Sequence, residues 1–306
     1  MSADIQSQDA TERHSEEGEG RVKSGSTTLQ QVDTVETARK PVTRRRRRIS
    51  LLPLVSLPLI VFFALPLLAL VLRVSPADVV AGLGEQEVGQ AISLSLTTTL
   101  VTVAITVLFG TPLAYLLARR RFAGRTVVDT LIDLPMVLPP AVAGIALLVT
   151  FGRRGLLGQY LEIGGIEIAF TQTAVVLAQT FVAAPFYVKT ALGAFSNLHR
   201  DLEEAAALDG ASSQQTFRFV TLPLTLPALF GGAVMTWARA LGEFGATIIF
   251  AGNFPGRTQT MPLAIYIGFE IDLRIAVTLA VILLAVSFTV LLVVKGLLRQ
   301  RIEAVL

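Results

Sequence analysis

Residues 201–223 read DLEEAAALDGASSQQTFRFVTLP, a charged stretch set in a chain that is otherwise oily. Asp201 followed by Glu204 has the spacing of a capping box, Ala205 to Leu208 is a run of strong helix formers, and Gly210 stands where that helix would end. Ser212 with Gln215 repeats the helix-start signal for a second short helix, and Pro223 sits where the next apolar stretch begins. The loop 197–223 is thus expected to form a helix-turn-helix lying on a membrane surface. Its small alanines leave a shallow face over which the groove of another protein can close. Composition alone leaves a simple amphipathic connector open as well.

Outward from this loop the chain is apolar. Of its 306 residues 52% are hydrophobic and the mean hydropathy is +0.63. Ten of the 26 Lys and Arg and eight of the 23 Asp and Glu fall within residues 1–48, so charges make up only about 12% of the remainder, half the soluble norm. Uncharged stretches mark six spans: Ile49 to Leu72, Ala91 to Ala118, Leu134 to Gly152, Ile168 to Val188, Leu222 to Phe250 and Ile275 to Val294. The expected fold is an all-α polytopic membrane protein with six transmembrane helices over residues 49–306. Arg119, Arg120, Arg121, Arg125, Arg200, Arg218, Lys295, Arg299 and Arg301 fall on one side, against Arg153, Arg154, Arg257 and Arg274 on the other. That bias places both termini in the cytoplasm, as an even span count requires.

Residues 1–48 mix Ser, Gly, Gln, Thr and Glu with few aromatics and read as a disordered cytoplasmic tail. It ends in Arg44 to Arg48, a topology signal that also suits contact with anionic lipid headgroups. Nothing else in the chain supports nucleic-acid binding. With no Cys, and with His14 and His199 the only histidines, the chain lacks the parts of a thiolate or histidine metal site and of a Ser-His-Asp triad. Asp129 and Asp133 suggest a membrane aspartyl protease, but they lie together at the start of one helix, where carboxylates suit its dipole, and no second span offers another aspartate. A transport subunit rather than an enzyme is expected.

Glu204-Ala205-Ala206, three residues, Gly210, nine residues, Val220, one residue and Leu222-Pro223 resembles the EAA motif of ABC importer permeases, with Val220 where the pattern has Ile. Leu134 to Gly144 with Phe151 to Gly158, and Trp237 to Thr247 with Phe250 to Asn253 and Gly256 to Tyr266, are similar to molybdate permeases. Sulfate permeases share the A-R-x-x-G-E frame but are expected to carry Tyr where this chain has Phe244 and a different outer loop, and tungstate permeases stay open as an alternative within the same family. The resemblance covers roughly residues 90–295 and implies a type I ABC importer permease fold. It also implies that Glu204, Ala205, Ala206, Gly210, Val220, Leu222 and Pro223 couple to a separate ATPase. No G-x-x-x-x-G-K-[ST] loop occurs in the chain, so ATP and Mg belong to that ATPase, and no cofactor is expected here. The further implied partners are a second permease copy, an ATPase pair and an extracytoplasmic oxyanion-binding protein. An ATPase-independent channel or receptor is the alternative of another class.

Charges and breaks within the spans supply the pathway candidates. Arg239 and Glu243, four apart, share a helix face and either neutralise each other or border the pathway, and Thr236 shares that face. Pro135, Pro139 and Pro140 with Gly144 are expected to kink the third span, as a packing feature or as a gate hinge. Thr97, Thr98 and Thr99 are expected to bond back to their own helix.

Overall fold

The computed structural model describes residues 52–303; the tail 1–48 and its arginine run lie outside the described residues. Helix α1 (Leu52–Leu72) carries no charge, and from Val55 on its side chains are exposed except Leu70, which is half-buried. A helix apolar on every side is soluble only in lipid. Next come α2 (Pro76–Gly84), α3 (Gln86–Arg119), α4 (Arg125–Val137), α5 (Pro140–Phe151), α6 (Gly158–Ile163) and α7 (Gln172–Asn197). The charged loop holds α8 (Arg200–Leu208) and α9 (Ser213–Thr216), followed by a π-helical turn (Phe217–Thr221) and α10 (Leu222–Leu241). Helices α11 (Gly245–Phe250), α12 (Met261–Ile271) and α13 (Leu273–Glu303) complete the chain, and no strand occurs among the described residues.

The core is built around α7. Ala174, Val175, Ala178 and Val182 of that helix pack with Ala143 and Leu147 of α5 and with Ala246 and Phe250 of α11. Further along, Tyr187, Val188, Ala191 and Phe195 pack with Ala114 of α3 and Leu229 of α10. Alanines at the contacts let helix backbones approach closely, which is how membrane helices gain packing energy when lipid is as apolar as they are. A third cluster joins Val88 and Ala91 of α3 to Met261 of α12 and to Leu279 and Ile282 of α13. Outward-facing Phe62, Phe109, Val149 and Phe288 are exposed, as suits side chains turned to lipid.

Five described helices are long and apolar enough to cross a membrane, and six crossings result if the bent pair α4–α5 counts as one. The expected third span, Leu134 to Gly152, is not one helix: the chain breaks at Leu138–Pro139 and turns by 118°. Leu138, which precedes Pro139, is extended (ψ 137°), and Pro140 opens α5, because proline has no N–H for the helix before it and suits the first position of the helix after it.

The expected fifth span, Leu222 to Phe250, also divides: α10 ends at Leu241 and α11 is a separate short helix. At its other end this span begins earlier than Pro223. The second short helix of the loop runs through the π-turn into α10, so that Ser213–Leu241 is one apolar rod. Nor is the segment 251–274 merely an outer loop, because it contains α12, whose Met261 N–H donates to Ser95 Oγ of α3 at 2.7 Å.

Candidate functional site

Helix α8 carries the first half of the motif. Its N-cap is His199, and the expected box between Asp201 and Glu204 does not form: Asp201 lies inside the first turn, and the Glu204 side chain is exposed with no partner among the described residues. The other end is as expected. Gly210 adopts φ +89°, the left-handed region that a side chain disfavours, and donates its N–H to Ala207 O, while Ala211 donates to Ala206 O. These two bonds are a Schellman closure, which satisfies the last carbonyls of α8 and turns the chain sharply toward α9. The Ser212 box does form: Ser212 Oγ accepts from Gln215 N–H, and Gln215 Oε1 accepts from Ser212 N–H at 2.8 Å.

The outward face of α8 therefore presents Glu204, Ala205 and Leu208, the last 89% exposed. On its inward side Glu203 Oε1 accepts from Arg119 Nη2 of α3 at 3.0 Å and from Thr221 Oγ1 at 2.7 Å. A cleft of about 320 Å³ opens beside α8, bordered by Tyr115, Arg119, Arg200, Glu203 and Glu204. Val220, Leu222 and Pro223, the second half of the motif, line the junction of the π-turn with α10 and so fix how the loop joins the span rather than its outward face. Sequence reasoning missed Glu203 and Leu208, and the signal available was helical phase, since neighbours in an α-helix point about 100° apart.

The second site lies where α10 breaks. Arg239 and Glu243 do not share one helix, because α10 stops at Leu241, yet Arg239 Nη1 and Glu243 Oε2 lie 2.8 Å apart as an ion pair without hydrogen-bond alignment. Glu243 is 1% exposed, and its Oε1 accepts the Ala246 N–H at 2.8 Å, so this carboxylate bridges the break and holds the start of α11. A buried carboxylate stays charged only with such partners.

Against α11 lies α5. A Cβ at Gly144 would stand 2.9 Å from Ala246 O and from Ile249 Cβ, and one at Gly245 would stand 2.8 Å from Pro140 Cβ. Pro140, Gly144 and Glu243 are thereby gathered at one α5–α11 contact, with Pro139 at its edge as the N-cap of α5. Thr236 is elsewhere engaged: it is fully buried and donates to Ala183 O of α7 at 3.3 Å.

Asp129 and Asp133 lie outside the first turn of α4, so the helix dipole does not account for them. Both accept from Lys189 Nζ of α7, at 2.7 and 2.8 Å, a partner that the reading of α7 as ending at Val188 left out. Thr97, Thr98 and Thr99 donate to the carbonyls of Ser93, Leu94 and Ser95, as expected.

A bundle of apolar helices, broken between α4 and α5 and again after α10, where Arg239 pairs with Glu243, and carrying a two-helix charged loop, defines a polytopic membrane protein. The model of the binding-protein-dependent transport system inner membrane component family matches residues 110–304, and the chain belongs to that family. It is 46% identical over 235 residues to the molybdenum transport system permease protein ModB of Mycobacterium tuberculosis (strain ATCC 25618 / H37Rv), a match covering 76% of this chain and 88% of that one. It is 37% identical over 223 residues to the sulfate transport system permease protein CysW of Synechococcus elongatus, covering 72% and 78%. Among solved structures, a bacterial ABC transporter involved in the import of alginate superposes with a TM-score of 0.66 at 18% identity, over 82% of this chain and 95% of that one. The fold is that of a type I ABC importer permease, in keeping with the inner-membrane component family.

Proposed function

We propose that this chain is the membrane-spanning subunit of an ATP-driven importer of molybdate, working as a homodimer with both termini in the cytoplasm. Two copies of a separate ABC ATPase, which hold ATP and Mg, receive the α8 loops, and an extracytoplasmic binding protein delivers the dianion to the outer side. The observation that carries this reading is the outward face of α8: Glu204, Ala205 and Leu208 stand free of the bundle while the Gly210 closure fixes the helix behind them. ATP-driven closure of the ATPase pair moves α8, and the bundle passes from inward-facing to outward-facing.

In this reading the α5–α11 contact is the gate, with Pro139, Pro140 and Gly144 setting the bend of one side. Arg239 uses one guanidinium nitrogen on Glu243 and keeps other donors for a tetrahedral dianion; Glu243 repels anions when the gate is shut. Molybdate is favoured over sulfate by the 46% identity to a molybdenum permease against 37% to a sulfate permease, and by Phe244 at the position where Tyr is expected in the latter.

Co-expression with a candidate ABC ATPase tests the docking role. The wild-type chain is expected to co-purify with that ATPase, and Glu204→Lys to remain in the membrane while ATP hydrolysis no longer drives transport. Neutral behaviour of Glu204→Lys and of Gly210→Pro together would favour a channel or receptor that needs no ATPase.

A further inference from the structure

Glu203 and Glu204 are adjacent in sequence and border the same cleft, but they differ in burial and partners. Glu204 faces outward; the Glu203 side chain is 16% exposed and meets Arg119, 10% exposed, at the end of α3. The same oxygen of Glu203 accepts from Thr221 Oγ1, and Thr221 is fully buried. Arg119 Nη1 also reaches Leu198 O at 3.5 Å, in the link between α7 and α8. One carboxylate oxygen thus ties the docking helix to the ends of two long helices, α3 and α10, that are not its neighbours in the chain.

The π-turn makes this contact possible. Thr216 and Thr221 are five residues apart and both buried. On an α-helix five steps of about 100° would leave them some 140° apart, on different faces. The π-turn, with its i to i+5 spacing, returns them to one face, and such turns recur at functional positions in helices. Aromatic packing stiffens the ground beneath: Tyr115 of α3 meets Phe195 of α7 at 5.4 Å and Phe217 of the π-turn at 4.9 Å, each edge to face.

We propose that Glu203 is a positioning residue that transmits displacement of α8 to α3 and α10, the joint between docking and gating. The inference rests on the importer reading above. It differs from that reading in separating two adjacent glutamates: Glu204 serves association with the ATPase, and Glu203 serves transmission after association. Thr221 belongs to the transmitting side, through a neutral contact whose loss leaves the Arg119–Glu203 pair intact.

The test uses the full chain with its ATPase and binding protein in lipid vesicles, reading co-elution of the ATPase, ATP hydrolysis, and molybdate taken up per ATP. Glu203→Ala and Thr221→Val are each expected to keep co-elution and hydrolysis while uptake per ATP falls about tenfold, within the usual range of a coupling energy. Thr221→Ser, which restores the hydroxyl, is expected to behave as wild type, and the double variant Glu203→Ala with Thr221→Val to be little worse than either alone.

Unchanged uptake per ATP in both single variants would overturn the proposal. So would loss of ATPase co-elution in Glu203→Ala, which would make Glu203 a docking residue. If the Glu203→Ala chain does not reach the membrane folded, Thr221→Val decides alone. Absence of ATP-driven uptake in the wild-type complex would overturn the importer reading itself, and this inference with it.

Discussion

Gly210 holds α8 in place through a backbone angle that other residues adopt only with strain. Gly210→Ala is expected to cost about 1–2 kcal/mol locally, because a Cβ meets the carbonyl in the left-handed region. The end of α8 would loosen, and transport would fall while the bundle itself remains folded; uptake beside a thermal melt separates the two. Leu208 acts differently. If the ATPase covers it, Leu208→Ala removes about 1.5–3 kcal/mol of burial, or roughly tenfold or more in affinity for the ATPase, measurable by titration. Gly144→Val is the corresponding change at the other site: its side chain would press on Ala246 O and Ile249, at about 1–3 kcal/mol for overpacking, and is expected to abolish transport without removing the protein from the membrane. Gly210 was legible in the sequence because a turn after a helix needs a left-handed residue wherever it occurs. Glu203 was not, since two consecutive glutamates look alike until helical phase turns one inward. Nor was the missing Asp201–Glu204 box, where the capping spacing is present but the N-cap falls two residues earlier, at His199, and α8 begins at Arg200.

At the scale of elements, the two broken spans show where apolar composition stops being informative. Hydropathy locates a stretch that prefers lipid, but it does not report whether the backbone crosses in one rod. The prolines at 135, 139 and 140 pointed to a bend, and its 118° size came from Leu138 and Pro139 both lying outside any helix. In the other direction, hydropathy cut α7 at Val188 because Lys189 is charged, whereas Asp129 and Asp133 of α4 neutralise it and the helix continues to Asn197. This clasp predicts a measurable coupling. Its carboxylates are nearly half open to solvent, so each pair is worth about 0.2–1 kcal/mol after screening. Lys189→Met is expected to lower the melting temperature by about 2–4 °C, through lost pairing and the repulsion it uncovers between the two aspartates. Asp129→Asn with Asp133→Asn in the Lys189→Met background should recover the part of that loss due to repulsion. A melt that the added asparagines leave unchanged would show that the clasp does not hold α4 to α7.

For the whole molecule, the division of labour follows from where charge is tolerated. The bundle is apolar and packed on small residues, its internal charges are paired at the α10 break and at the Lys189 clasp, and exposed charge falls in the segments between the long helices, the α8 loop among them. Membership in the transport family accords with that layout, and the motif in residues 204–223 was its most legible sign because seven positions at fixed spacing are hard to meet by accident. Substrate was the least legible property, since the choice between molybdate and sulfate rested on resemblance rather than on a site in the spans. The most direct measurement is therefore the ATP hydrolysis rate of the chain in lipid with its ATPase and binding protein, as molybdate, tungstate and sulfate are added in turn. Stimulation by molybdate, shared by tungstate and absent with sulfate, is the predicted result; failure to associate with an ATPase, with no stimulation by any of the three anions, would contradict it.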